Sequence, residues 1–207
     1  MTFDKVHVIL QKHLPAPALN YCLELWYFYK FDFKLRKSRL TKIGDFTFRT
    51  GKTPRITVNQ DLHPFLFLTT YIHEVAHLEV HQKFGHRIEA HGNEWKNCFK
   101  DLINPLLTNE IFPGDLLEGL RVHMADPMAT TFSDPLLTKI FRKYDERASA
   151  VTLLSEIPAG SIFCLRNRWF KKGEIRRTRV LCQELKSKKN YLVPLDAPVE
   201  NVQLSLL

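Results

Sequence analysis

The chain has 207 residues, 44% of them hydrophobic and 25% charged, which excludes a disordered or fibrous protein and allows one good core or a main domain with a small annex. Its formal net charge of +8 is unevenly placed: between Ser161 and Asn190 ten Lys/Arg face only Glu174 and Glu184, leaving 20 of the 30 basic and 20 of the 22 acidic groups to balance elsewhere. Such a regional excess points to an anionic partner for one end of the molecule.

Thr2 can cap a first helix that carries Phe3, Val6, Leu10 and Leu14 on one side and stops at Pro15. A second helix begins near Pro17, with Leu19, Cys22, Leu23, Trp26 and Tyr27 at helical spacing as core residues. The period then changes. Phe31, Phe33 and Leu35 alternate with charged residues as in a half-buried strand, Gly44-Asp45 reads as a turn, and Phe46 and Phe48 alternate again. Thr50 to Pro54 is a second turn, followed by Arg55 to Asn59, so the expectation is a three-stranded antiparallel meander.

Asp61 and His63-Pro64 introduce a helix from about Phe65 to Phe84, ended near Gly85. Phe65, Leu68, Ile72 and Ala76 form one stripe, and Leu66, Thr70, His73, His77 and His81 form another, rotated away from it. His73-Glu74-Val75-Ala76-His77 puts two imidazoles about one helical turn apart on one face, where they can share a Zn²⁺, with Glu74 beside them to act on water. Chance alone gives roughly 0.02 such matches in a chain of this size and composition, so context must decide.

A catalytic zinc needs a third protein ligand and one open position. The candidates are His81, His86, His91 and the carboxylates of Glu89 and Glu94. His81 lies one turn further along the helix and drifts away from a metal centred between His73 and His77. His86 and His91 lie beyond the Gly85 break, where the chain can fold back. His91 is followed by Gly92, which permits a close backbone approach, and by a next helix with Phe99, Leu102, Ile103 and Leu106 at helical spacing. Val80 and Lys83 stand where a metzincin has Gly and His, which excludes that pattern.

His73-Glu74-x-x-His77 followed by His91-Gly92-Asn93-Glu94-Trp95 resembles the SprT-like zinc metallopeptidase domain. The resemblance extends upstream through Lys42-Ile43-Gly44-Asp45-Phe46 and Arg55 to Asn59, covering about residues 31 to 105. It implies His73, His77 and His91 as zinc ligands, Glu74 as general base, and Gly92 and Trp95 as structural positions. It also implies a protease of low sequence specificity acting on proteins bound or crosslinked to DNA. The chain departs from many members of that family in lacking four cysteines for a following zinc ribbon.

Leu107 to Tyr144 reads as two or three helices with a start at Ser133-Asp134-Pro135 and no evident chemistry, His123 included. From about Ala148 the texture becomes β: Val151 to Leu154, Ser161 to Leu165, Trp169-Phe170, Arg177 to Leu185, Tyr191 to Leu195 and Val199 to Leu204 are short strands, with Lys172-Gly173 among the separating turns. A small basic barrel-like sheet is expected, with Arg166, Arg168, Lys171, Lys172, Arg176, Arg177 and Arg179 as nucleic-acid contacts beside Phe163, Trp169, Phe170 and Tyr191.

The fold class expected is therefore α+β: a zincin-like domain over residues 1–146 and a small all-β annex over 147–207. The expected protein is a monomeric zinc metallopeptidase with a DNA-associated protein substrate. The rival is a non-catalytic nucleic-acid-binding protein with a structural metal. No apolar run is long enough to span a bilayer and Met1 to Lys5 is no leader, so a cytoplasmic location, the nucleoid included, is expected. Cys22, Cys98, Cys164 and Cys182 are scattered, with no Cys-x-x-Cys pair, and are expected as reduced thiols.

Overall fold

A computed structural model describes residues 2–39, 42–85, 87–128, 134–145 and 152–203. It mixes helices and sheet, and the chain divides into two compact units, Met1–Asp145 and Glu146–Leu207. No helix among the described residues is long and apolar enough to cross a membrane. All four cysteines are buried and free. The expected helix start at Ser133 and strand ends at Val151 and Leu204 lie outside the described residues.

In the first unit, α1 (Phe3–His13) and α2 (Leu19–Tyr29) precede three strands, β1 (Asp32–Arg36), β2 (Gly44–Thr47) and β3 (Arg55–Asn59). The expected meander is corrected: the order is β1-β3-β2, with β1 parallel to β3 and β2 antiparallel to it. Residues 37–43 link β1 to β2 over a span too long for a tight hairpin, and β3 then enters between them. Ile56 and Val58 are fully buried, as suits a central strand. Gly44 is part of β2, not a turn.

The register gives this sheet two distinct faces. Phe33, Ile56 and Phe46 share one row of the core face, and Leu35, Val58 and Gly44 the next. Asp32, Arg55 and Thr47, then Lys34, Thr57 and Asp45, then Arg36 and Asn59, form the rows of the other face.

The long helix α3 (Pro64–Phe84) lies against β2 and β3 and also packs on α1, α2 and α4 (Asn93–Ile103). It is accordingly buried around most of its circumference, from Leu66 to Val80, where two separate stripes were expected. Tyr71 anchors it: the ring meets Phe33 edge-on at 5.4 Å and the hydroxyl donates to the Cys22 carbonyl at 2.9 Å. Gly85, at φ +76°, takes the left-handed turn that ends α3. Helices α5 (Gly114–Ala125) and α6 (Pro135–Tyr144) pack together. Asp134 caps α6 by accepting from the Leu137 N–H at 3.0 Å and also meets Nδ1 of the buried His123 at 2.9 Å.

The second unit holds β4 (Thr152–Leu153), β5 (Ile162–Leu165), β6 (Arg168–Arg176), β7 (Arg179–Glu184), β8 (Asn190–Pro194) and β9 (Pro198–Gln203). They form one antiparallel sheet in the order β4-β9-β5-β6-β7-β8, with β4 and β8 as its end strands. Its core is Leu154, Ile157, Phe163, Phe170, Val180, Cys182, Val193 and Val199. Lys172-Gly173 is no turn: it sits inside β6, where the register with β7 shifts between Lys172 and Ile175. A side chain at Gly173 would meet the Leu181 carbonyl oxygen at 2.5 Å, so the bulge requires glycine there.

Candidate metal centre

His77 follows His73 by four positions on the helix, so both rings leave the same side of α3. The Gly85 break lets the chain return, and a turn closed by the Gly92 N–H on the Glu89 carbonyl at 3.1 Å sets His91 just before α4. The Nε2 atoms of His77 and His73 stand 3.1 Å apart, and those of His91 and His73 3.4 Å apart. Two nitrogens about 2.0–2.1 Å from one tetrahedral ion would be about 3.3–3.4 Å apart, so the spacing fits a shared metal.

Burial, then the neighbouring rings His77, His91 and His123, holds His73 well below its ordinary pKa. Burial and then His91 lower His77 to about 4, and burial lowers His91. The rings are thus neutral near pH 7, the form in which an imidazole nitrogen offers a lone pair to a cation. Among the described residues, His73, His77 and His91 form the cluster able to hold a metal ion.

Trp95, on the first turn of α4 and fully buried, forms the wall behind the cluster. Its ring stacks on His77 at 5.4 Å and lies 4.6 Å from His73 and 4.8 Å from His91, backed by Phe99 at 4.9 Å. Packing on three sides restricts the imidazole rotamers.

Glu74 leaves α3 toward β2. It is 6% exposed, accepts a hydrogen bond from the Phe46 backbone N–H, and lies so close to Gly44 that a Cβ there would be 2.3 Å from its Oε1. Burial, with Asp45 adding to it, raises this carboxyl from 4.5 to about 8; the Phe46 N–H, Arg39 and Lys42 pull the other way. Gly44 is thus a site residue that sequence reading assigned to a turn. The signal that could have revealed it is its place in a short alternating segment, since Gly inside a strand marks a close approach.

Of the other third-ligand candidates, His81 instead packs on Phe48 at 4.1 Å, Glu89 and Glu94 stay outside the cluster, and His86 lies outside the described residues.

The basic residues of the second unit are not brought together. Arg166 sits in the β5–β6 turn with Arg168 beside it, while Arg176, Arg177 and Arg179 gather at the β6–β7 turn. The nine residues of β6 separate the two groups by roughly 25 Å. Arg168 is already engaged, its Nε donating to Glu184 at 2.7 Å and its guanidinium lying 4.7 Å over the Tyr191 ring. Lys171 is exposed. Lys172 corrects the expectation of a nucleic-acid contact: it is 4% exposed, and its ammonium donates to the Leu154 and Ile157 carbonyls at 2.8 and 2.6 Å. Phe163 and Phe170 are core, whereas Trp169 is 39% exposed.

Comparison with curated proteins finds local similarity to Protein SprT of Pseudomonas putida, 67% identical over 27 residues, and of Pseudomonas entomophila, 63% identical over 27 residues. Each match covers 13% of this chain and 16% of the relative. No protein-family model matches the chain, and no solved structure matches it significantly.

Proposed function

We propose that the chain is a zinc-dependent metallopeptidase of SprT-like type that cleaves proteins bound or crosslinked to DNA with little sequence preference. The observation that carries this reading is the convergence of three neutral imidazoles from a long buried helix and the turn after it, with the buried carboxyl of Glu74 next to His73 along that helix. The short SprT similarity adds to it. His73, His77 and His91 would hold Zn²⁺, which supplies the Lewis acidity that activates water and polarises a scissile carbonyl.

Within this reading the protein's own residues do the rest. Glu74 takes the proton of the attacking water on a carboxylate oxygen and hands it to the leaving amine. The Phe46 N–H and the missing side chain at Gly44 fix where that carboxyl stands. Trp95 keeps the imidazoles oriented and one side of the centre dry. In the second unit the exposed Arg166, Lys171, Arg176, Arg177 and Arg179 would offer DNA phosphate contacts.

Metal analysis together with proteolysis of a protein–DNA mixture tests the reading. Wild type and Glu74→Gln should both retain zinc, and wild type alone should cut. Zinc in both and cleavage by neither would leave the metal structural and the protein a nucleic-acid binder.

A further inference from the structure

Charge counted over the whole chain outside Ser161–Asn190 hides a second asymmetry. From Lys30 to Arg55 there are nine Lys/Arg and two acids, Asp32 and Asp45, a local excess of +7. The sheet register concentrates many of these on one surface. The core face of β1-β3-β2 is covered by α3, while the opposite face carries Lys34, Arg36 and Arg55.

Two adjoining cavities open on that side. One, of about 330 Å³, is lined by Arg36, Arg39, Lys42, Arg49, Lys52 and Arg55 together with Asp45 and threonines. The other, of about 590 Å³, is lined by Trp26, Tyr27, Lys30, Phe31 and Asp32, the last paired with Arg55, and shares Lys52, Thr53 and Arg55 with the first. A cationic trough therefore runs directly into an aromatic one.

The cations differ in what they are free to do. Arg55 is paired with Asp32 at 2.9 Å and Lys42 with Asp45 at 2.6 Å. Arg39 is held flat across the sheet by Asn59 at 2.8 Å and Thr57 at 3.1 Å, which buries those two polar side chains beneath it. Arg36, Arg49 and Lys52 are exposed and make no ion pair among the described residues. Beside them Trp26 is pinned by its Nε1–H on the Phe31 carbonyl at 2.9 Å, and Tyr27 is 72% exposed. A fixed indole and an exposed phenol thus stand next to cations that no carboxylate among the described residues neutralises.

We propose that this trough binds single-stranded nucleic acid, with backbone phosphates at Arg36, Arg49 and Lys52 and a base against Tyr27 and Trp26. Single strands combine the charge the cations lack with ring faces free to stack, and a duplex keeps its bases closed. An acidic peptide would answer the cations and leave the rings unused. All the residues that line the two cavities belong to the first unit.

Strand β2 lies between this trough and Glu74: Asp45 and Thr47 face the cations, while Gly44 and Phe46 face α3 and Glu74. Binding in the trough stands on its own. That it brings a DNA-attached protein to the centre rests on the peptidase reading.

Fluorescence anisotropy of the full chain with a labelled single-stranded oligothymidylate, over a salt series, tests the binding apart from any cleavage. Arg36→Gln/Arg49→Gln/Lys52→Gln should weaken affinity at least roughly tenfold and flatten the log–log salt slope by about 2, at roughly 0.7 for each phosphate no longer neutralised. Tyr27→Ala should weaken it roughly fivefold or more with the slope unchanged, and decides the matter alone should the triple variant misfold. Wild-type affinity and slope in both trough variants would overturn the proposal.

Discussion

Replacing Gly44 with Ala tests the position of Glu74 without touching a histidine. Gly44 lies opposite Val58 in β2, and a Cβ built there falls 2.3 Å from Glu74 Oε1, 2.9 Å from Glu74 Cδ and 2.7 Å from Thr70 Cγ2. Ordinary contact begins near 3.4 Å, so something must give by about an ångström. Thr70 is buried on α3 with its hydroxyl donating to the Leu66 carbonyl at 2.7 Å, and has little room. Either β2 lifts away or the Glu74 carboxyl swings aside, and in both cases Glu74 loses its place under the Phe46 N–H. Overpacking costs about 1–3 kcal/mol, and the backbone entropy gained from Ala returns roughly 0.5–1 kcal/mol. The net loss, at most about 2.5 kcal/mol, lowers Tm by up to several degrees. Activity should suffer far more, since an ångström of misplacement can cost about a hundredfold. Zinc content should stay at the wild-type level. In a Glu74→Ala background the stability cost of Gly44→Ala should shrink, because one of the two clashing partners is gone. Wild-type cleavage and an equal or higher Tm for Gly44→Ala would refute the close approach of Glu74 to β2.

Three further outcomes follow from buried polar groups. Because the Glu74 carboxyl is held up from 4.5 to about 8 in the fold, the metal-free protein has this contribution to stability in full below pH 4.5 and loses it as pH rises toward 8. Metal-free Glu74→Gln should therefore gain on wild type by up to about 1.4 kcal/mol per pH unit across that window, and a pH series of melts without such divergence would contradict the burial. Asp134→Ala removes the cap of α6 and the partner of His123, and chemical denaturation should register a loss of about 1–3 kcal/mol. Lys172→Met strands the Leu154 and Ile157 carbonyls, so the second unit should lose about 1–3 kcal/mol while oligonucleotide affinity stays unchanged; a drop in affinity with stability intact would return Lys172 to the binding surface.

The bounds of α3 were legible because its start and stop signals, His63-Pro64 and Gly85, act locally. The three histidines were readable for a related reason: a four-residue helical spacing fixes His73 against His77, and the Gly85 break leaves His91 free to return. Strand pairing was not readable in this way. Alternation in Phe31 to Leu35 and Arg55 to Asn59 reports which face is buried and is silent on the neighbour, so a meander with β2 in the centre is expected where β3 in fact takes that place, parallel to β1. Gly44 and Gly173 were both taken as turns because a glycine demanded by a close contact in a strand carries the same letter as one demanded by a turn. Charge was misread through averaging in the first unit, and through adjacency in the second, where a run of basic residues is dealt to opposite ends of β6.

The two-sidedness of β2 leaves it no tolerance for a shift along its own axis. Successive residues of a strand point to opposite faces, so sliding β2 by one position against β3 would exchange Gly44 and Phe46 with Asp45 and Thr47. A second carboxylate would then press on Glu74, and a phenyl ring would enter the cationic trough. A single inserted or deleted residue between Ile43 and Phe48 therefore disturbs Glu74 and the trough together, whereas insertions in the exposed 49–53 turn leave both faces in phase.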